Sequence, residues 1–131
     1  MAKARVLLAD DHEAMLEQVR SILSKDFEVV GAVGNGRDAL TEVERLDPDV
    51  LVIDISMPVL NGLQTAAQLM SKKCRTRIVF LTVHDDQDYV EAAFAAGASG
   101  YVTKSQVMTD LIPAILEASS ARTYVSNSIH Q

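Results

Sequence analysis

Acidic side chains follow apolar segments at two places in this 131-residue chain. Asp54 comes directly after the apolar run at residues 50–53, and Asp10 and Asp11 come directly after the run that ends at Ala9. Burying an ionised carboxylate costs free energy unless a metal, an opposite charge or hydrogen bonds meet it. A buried strand that ends in a carboxylate therefore indicates chemistry at that end.

Two further polar groups stand at the ends of apolar runs. Thr82 closes the fourth run, and Lys104 follows Thr103 at the end of the fifth. Alone, Thr82 would be an ordinary β-branched strand residue and Lys104 a surface lysine, just as the two early aspartates could begin a helix. Their joint placement at the ends of different strands favours a common site.

The residue types at these ends suit phosphoryl transfer. Three carboxylates in one pocket repel each other unless a divalent cation lies among them, and oxygen ligands favour Mg²⁺ (or Mn²⁺) over zinc. The ammonium of Lys104 and the hydroxyl of Thr82 could hold oxygens of a phosphoryl group. The Asp54 carboxylate would then be the nucleophile.

Five apolar runs of strand length alternate with five segments of helical periodicity. The runs cover residues 4–9, 27–33, 50–54, 77–82 and 99–103, and the helical segments cover residues 13–24, 37–46, 62–71, 87–96 and 107–118. Near-continuously apolar strands that alternate with helices predict a doubly wound α/β domain with a parallel sheet. Such sheets bind ligands beyond the carboxyl ends of their strands, where the polar residues are expected.

Length and composition predict one domain at residues 1–119, because 48% of the chain is apolar and periodicity is lost after Ser119. Residues 120–131 are interpreted as the start of a linker. Cys74 is expected to be a free structural thiol. The absence of a leader or a membrane-length apolar run predicts a cytoplasmic protein without membrane contact. A net charge of −6 with scattered basic residues argues against nucleic-acid binding by this domain itself.

Together these residues resemble the receiver domain of two-component response regulators. The resemblance rests on Asp10-Asp11, on Asp54 with Met57-Pro58 and Gly62, on Thr82 and on Lys104, and it covers about residues 4–118. Residues 46–50, 83–86 and 95–105 resemble the LuxR/NarL-type subfamily. The resemblance implies a flavodoxin-like fold with five helices and a five-stranded parallel sheet in the order 2-1-3-4-5, which is a known property of that fold.

The resemblance also implies roles for the site residues. Asp54 would accept a phosphoryl group from a sensor histidine kinase or from a small phosphodonor. Asp11 would ligate Mg²⁺ directly and Asp10 mainly through water, with Asp54 and the backbone carbonyl of Ser56 completing the protein ligands. Lys104 would pair with one phosphoryl oxygen.

A conformational switch would follow phosphorylation. The new group adds about 1.5 to 2 negative charges, enough to draw the Thr82 hydroxyl inward and leave space for Tyr101. The chain would be a signalling switch whose catalysis is limited to its own phosphorylation and dephosphorylation. The subfamily implies control of transcription through a C-terminal helix-turn-helix domain absent from this chain, and it leaves dimerisation on phosphorylation open.

Two other functions compete with this hypothesis. A small Mg²⁺-dependent phosphohydrolase of the haloacid-dehalogenase type also uses an aspartate at a strand end, but it needs a second acid where this chain has Ser56. An adaptor that is never phosphorylated is the third hypothesis. The segment at residues 34–36 loosely resembles a phosphate-binding loop, but it lacks the lysine, so a turn with a helix N-cap is favoured.

Overall fold

The computed structural model describes residues 3–126, which form a parallel sheet with helices on both faces. The strands are β1 (Arg5–Ala9), β2 (Glu28–Val33), β3 (Val50–Ile53), β4 (Arg77–Thr82), β5 (Gly100–Thr103) and β6 (Tyr124–Val125). The helices are α1 (Glu13–Leu23), α2 (Gly36–Leu46), α3 (Gly62–Ser71), α4 (Gln87–Ala95) and α5 (Val107–Ser119), and a short 3-10 helix, Lys104–Gln106, precedes α5. The predicted α/β architecture is confirmed.

The strand order is β2-β1-β3-β4-β5-β6, and every neighbouring pair is parallel. The first five strands confirm the order that the resemblance implied. Because β1 lies between β2 and β3, the chain leaves β1 toward one side of the sheet and later returns to its other side. The carboxyl ends of β1 and β3 therefore meet at the topological switch point, where sheets of this kind bind ligands.

Both faces of the sheet are buried, which explains the continuously apolar strands. Leu51 and Phe80 pack on the face covered by α2, α3 and α4, whereas Val52 and Leu81 pack on the face covered by α1 and α5. All four are at most 3% exposed. Successive strand residues point to opposite faces, so a strand covered on both sides must be apolar at every position.

A sixth strand extends the predicted sheet. The tail after Ser119 was expected to be linker, but the Tyr124 amide donates to Ser99 O over 3.1 Å and the Ser126 amide donates to Tyr101 O over 2.9 Å. These bonds place β6 parallel to β5. A two-residue strand is too short to show the periodicity on which the other predictions depended. Residues 127–131 of the expected linker lie outside the described residues.

Asparagine side chains begin α2 and α3. Asn35 Oδ1 accepts a hydrogen bond of 2.8 Å from the Asp38 amide, so residues 34–36 are the predicted turn with an N-cap. Asn61 and Gln64 form a reciprocal capping box at the start of α3. This cap fixes the first residue of α3, Gly62, which ends the loop that begins at Asp54.

The helices are of ordinary globular length. The longest within residues 3–126 is α5, with 13 residues, and it therefore extends about 20 Å. None of the helices in that range is long and apolar enough to cross a membrane.

Candidate functional site

Asp10 and Asp54 are buried side by side at the carboxyl ends of β1 and β3. They are 5% and 3% exposed, and the Asp54 amide donates to Ala9 O over 3.0 Å, which continues the strand pairing. Asp11 is exposed beside them. One carboxylate oxygen from each of these three aspartates and a ring nitrogen of His12 lie within 4.8 Å of one another. The fold thus collects the predicted acidic residues in one cluster.

Lys104 joins the two buried carboxylates. Its Nζ lies 2.9 Å from Asp10 Oδ2 and 3.0 Å from Asp54 Oδ2, and its side chain is 12% exposed. Burial disfavours the charged amine, but the hydrogen bonds to Asp10 and Asp54 outweigh that effect and raise the pKa of Lys104. The lysine is therefore an ammonium at neutral pH. It reaches both carboxylates although it follows β5, which is separated from β3 by β4.

The donor atoms of the cluster fit a hard divalent cation. Three carboxylates contribute a formal charge of −3, and Lys104 offsets only one of these charges. Mg²⁺ prefers oxygen ligands, often carboxylates with several waters, so an acidic pocket with an exposed member is compatible with it. Ser56 lies at the edge of the pocket, where its amide makes a long contact of 3.4 Å with Asp54 Oδ1.

Thr82 and Tyr101 are fully buried near the same edge of the sheet. Thr82 ends β4, and its Oγ1 accepts a long hydrogen bond of 3.4 Å from the His84 amide. The Tyr101 hydroxyl donates to His84 O over 2.7 Å, and its ring lies 6.4 Å from that of Phe80. Burial raises the pKa of Tyr101 far above its usual value. Tyr101 is therefore a completely buried residue of β5.

Sequence reasoning missed His84 as a connecting residue. The structure places His84 Nε2 3.0 Å from Ser56 Oγ and stacks its ring on Tyr89 with centroids 4.1 Å apart. His84 therefore connects the loop after Asp54 with the loop after Thr82. No local pattern could have indicated this contact, because Ser56 is 28 residues away.

The side chain of His12 is 68% exposed. Its Nδ1 nevertheless lies 3.1 Å from Asp10 Oδ1 and 3.0 Å from Asp11 Oδ1. Adjacency to two strand-end aspartates was the only feature of the sequence that could have indicated this contact. The His12 ring therefore lies at the exposed rim of the acidic cluster.

Gly62 lets α3 begin against the backbone of Asp54. Its amide donates to Ile55 O over 2.8 Å, and a Cβ at this position would lie only 2.1 Å from Asp54 O. Gly62→Ala is expected to lower the free energy of unfolding by about 2 kcal/mol, because backbone must move to admit the methyl group. Urea denaturation measures this loss.

Gly34→Ala is the matched control for Gly62→Ala. A Cβ on Gly34 would meet only Asp10 O, at 3.9 Å, which is an ordinary contact. Its unfolding curve should stay close to that of the unchanged chain. Equal stability of the two variants would show that Gly62 is not required for this close approach.

The geometry suits a carboxylate nucleophile. Asp54 Oδ2 is held by Lys104, whereas Oδ1 makes only the long contact with the Ser56 amide among the described hydrogen bonds. An anionic group that reached Oδ1 would find an ammonium within reach and a buried hydroxyl on the neighbouring strand. These are the elements that transfer of a phosphoryl group to a carboxylate requires.

Comparison with known proteins gives consistent results. The response regulator receiver domain family matches residues 6–116. The transcriptional regulatory protein DegU of Brevibacillus brevis is 34% identical over 125 residues, which are 94% of this chain and 53% of DegU. The nitrate/nitrite response regulator protein NarL of Escherichia coli K12 is 34% identical over 128 residues, which are 96% of this chain and 59% of NarL. The chain therefore spans little more than half the length of these relatives.

Solved structures of similar domains share the fold. The signal receiver domain of a NarL response regulator from Mycobacterium tuberculosis superposes with a TM-score of 0.89 at 33% identity, over 93% of this chain and 100% of that one. A LuxR-family two-component response regulator from Aurantimonas superposes with a TM-score of 0.92 at 30% identity, over 98% and 93% of the two chains.

Proposed function

The chain belongs to the response regulator receiver domains of the LuxR/NarL type, and from that membership we propose that it accepts a phosphoryl group on Asp54. Members of this family are signalling switches rather than classical enzymes. The observation that supports the proposal most directly is the contact of Lys104 Nζ with both Asp10 and Asp54. It places the ammonium of Lys104 beside the expected nucleophile, Asp54, where the ammonium can later bind an oxygen of the incoming phosphoryl group. The comparisons give no support to the phosphohydrolase alternative.

The proposed transfer is a displacement at phosphorus. A carboxylate oxygen of Asp54 forms a bond to phosphorus, and the bond from phosphorus to the leaving group breaks. That group is the imidazole of a kinase histidine or the acetate of acetyl phosphate. It keeps the bonding electron pair, and the imidazole nitrogen then takes up a proton. Lys104 and Thr82 stabilise the negative charge on the phosphoryl oxygens.

Magnesium, or manganese, is proposed as the cofactor. Asp10, Asp11, Asp54 and the carbonyl of Ser56 would hold it, and the acidic pocket supports this assignment. When bound, the cation would neutralise charge on the carboxylates and on the phosphoryl oxygens. Lys104 would then turn from the carboxylates toward the phosphoryl group.

A labelling experiment tests the proposal. With ³²P-labelled acetyl phosphate and Mg²⁺, the chain should acquire one phosphoryl group per molecule, and hydroxylamine should release it as it does from other acyl phosphates. A generic phosphate ester should show no sustained turnover. Continuous Mg²⁺-dependent hydrolysis would instead support the phosphohydrolase hypothesis, and the absence of any adduct would support the adaptor hypothesis.

The partners of the whole protein are also proposals. A sensor histidine kinase would supply the phosphoryl group. The receiver domain, expected at residues 1–119, would extend through β6, and a linker would start after that strand. Because DegU is a transcriptional regulatory protein of which this chain covers only 53%, a C-terminal domain would bind DNA. Thr82 and Tyr101 would form the switch that changes the surface of α4, β5 and α5. The chain would also catalyse the loss of its own phosphoryl group, and phosphorylation could lead to a homodimer.

A further inference from the structure

Ser126 is buried between the end of β5 and the first turn of α5. It is 2% exposed. Its Oγ accepts a hydrogen bond of 3.2 Å from the Thr103 amide and donates one of 2.7 Å to Asp110 Oδ2. Asp110 is itself only 8% exposed. One hydroxyl group thus joins the segment that follows β6 to the last residue of β5 and to α5.

Other contacts hold the same segment in place. The Ser126 amide donates to Tyr101 O over 2.9 Å, and the Tyr124 amide donates to Ser99 O over 3.1 Å. Burial and a hydrogen bond with Asp110 raise the pKa of Tyr124. The Asp110 carboxylate therefore accepts a hydrogen bond from Ser126 and influences Tyr124, a second residue of the tail. Buried hydroxyl and carboxylate groups require hydrogen-bond partners of this kind.

The hydrogen bond that Ser126 Oγ accepts from the Thr103 amide acts one residue before Lys104. Thr103 directly precedes Lys104, whose Nζ must lie about 3 Å from two carboxylates on other strands. A lysine can meet two such restraints only if its own backbone is well placed, because its side chain is long and has many rotamers. The end of β5 sets that position, and Ser126 holds the amide of its last residue.

We propose that Ser126 is a positioning residue for phosphorylation, through the sequence of hydrogen bonds Asp110–Ser126–Thr103 that fixes the backbone of Lys104. The inference rests on the proposed acceptance of a phosphoryl group by Asp54. Because coupling between two sites is reciprocal, a group bound at Asp54 that draws Lys104 toward it must also change the docking of β6 on β5. The docking of the tail on β5 therefore depends on whether a group is bound at Asp54.

The first test uses the unchanged chain, so it does not depend on the folding of a variant. Amide hydrogen exchange at Thr103 and Ser126 is measured with and without beryllofluoride and Mg²⁺. Exchange should slow by about fivefold or more, which is the lower end of typical coupling between sites. The amide of Ala39, which is buried in α2 on the other side of the sheet, is the internal reference and should not change in parallel.

The second test compares labelling rates with acetyl phosphate. Ser126→Ala should be labelled about fivefold more slowly or worse than the unchanged chain, because the position of Lys104 becomes less restricted. Ser126→Thr keeps the hydroxyl and should restore much of the rate. Ser120→Ala, at an exposed serine of the same tail, is the matched control and should be labelled at the normal rate.

The two proposals fail in different ways. The positioning role of Ser126 is wrong if Ser126→Ala is labelled as fast as a normally labelled unchanged chain. It is also wrong if hydrogen exchange at Thr103 and Ser126 does not change with beryllofluoride. Neither result contradicts the phosphorylation of Asp54, provided that the unchanged chain is labelled normally. If the unchanged chain takes no label and its exchange does not respond to beryllofluoride anywhere, both proposals are wrong. A stability loss in Ser126→Ala without a change in labelling would show a purely structural residue.

Discussion

Asp54→Asn is expected to take up no phosphoryl label from acetyl phosphate, a loss on the order of 10³-fold or more, as is usual when a nucleophile is removed. The amide of asparagine has almost the same shape as the carboxylate, but it is a very poor nucleophile. No other described carboxylate combines the burial of Asp54 with its position at the end of β3, facing the ammonium of Lys104. The measurement is ³²P incorporation per chain over time.

The fold of Asp54→Asn should persist, so the loss cannot be attributed to unfolding. The asparagine oxygen can still accept the hydrogen bond from Lys104, and one of three neighbouring negative charges is removed. Thermal melting should therefore show little or no destabilisation. Asp26→Asn, at an exposed aspartate far along the chain, is the control and should be labelled normally. Undiminished label in Asp54→Asn, located on Asp10 or Asp11 by mass spectrometry, would contradict the assignment.

Lys104→Met is expected to lower the free energy of unfolding by about 3 kcal/mol at pH 7 in the presence of a chelator. Methionine fills similar space but leaves Asp10 and Asp54, both nearly fully buried, without their shared cation. Removing one partner of a buried ion pair costs more than the pair contributes, because the remaining charges stay desolvated. Urea denaturation measures the change, and Lys25→Met, at an exposed lysine, should have almost no effect.

Magnesium should partly reverse the effect of Lys104→Met. Lys104 Nζ contacts carboxylate oxygens of Asp10 and Asp54 that a divalent cation would also use. Without this competition, the variant should gain more stability from millimolar Mg²⁺ than the unchanged chain does. An equal gain in both proteins would contradict the shared use of these oxygens.

The pH dependence of the Lys104 contribution has a defined sign. The pKa of Lys104 is raised in the folded state from an ordinary value of 10.5. Its stabilising contribution is therefore complete below about pH 10 and is lost as the pH rises through the folded pKa. The stability difference between Lys104→Met and the unchanged chain should be constant from neutral pH upward until that range, and should shrink above it.

Strand positions could be predicted because a strand that is buried on both faces has a continuous run of apolar residues in the sequence. The run at residues 50–53 is apolar at every position and coincides with β3, and Asp54 follows where the strand leaves the core. The meeting of Asp54 with Lys104 required the strand order as well. That order came from the resemblance, because apolar runs do not state which strands are neighbours.

Several contacts could not be predicted, since they join residues far apart without any periodic pattern. The hydroxyl of Ser126 reaches Asp110 and Thr103 only after β6 has paired with β5. The contact between Ser56 and His84 depends on how two loops fold over the same edge of the sheet. Such side-chain contacts follow from tertiary packing, and a short window of neighbouring residues carries no information about them.

The amino-acid sequence by itself determined the alternation of strands and helices and the placement of carboxylates, a hydroxyl and a lysine at strand ends. It did so because the burial of each face imposes a local period on the chain. Only the tertiary structure decided that Lys104 binds Asp10 and Asp54 together, that Tyr101 is fully buried against His84 O, and that the tail adds a sixth strand. Distances between strands arise from the packing and twist of the whole sheet, so they appear only when the complete fold is formed.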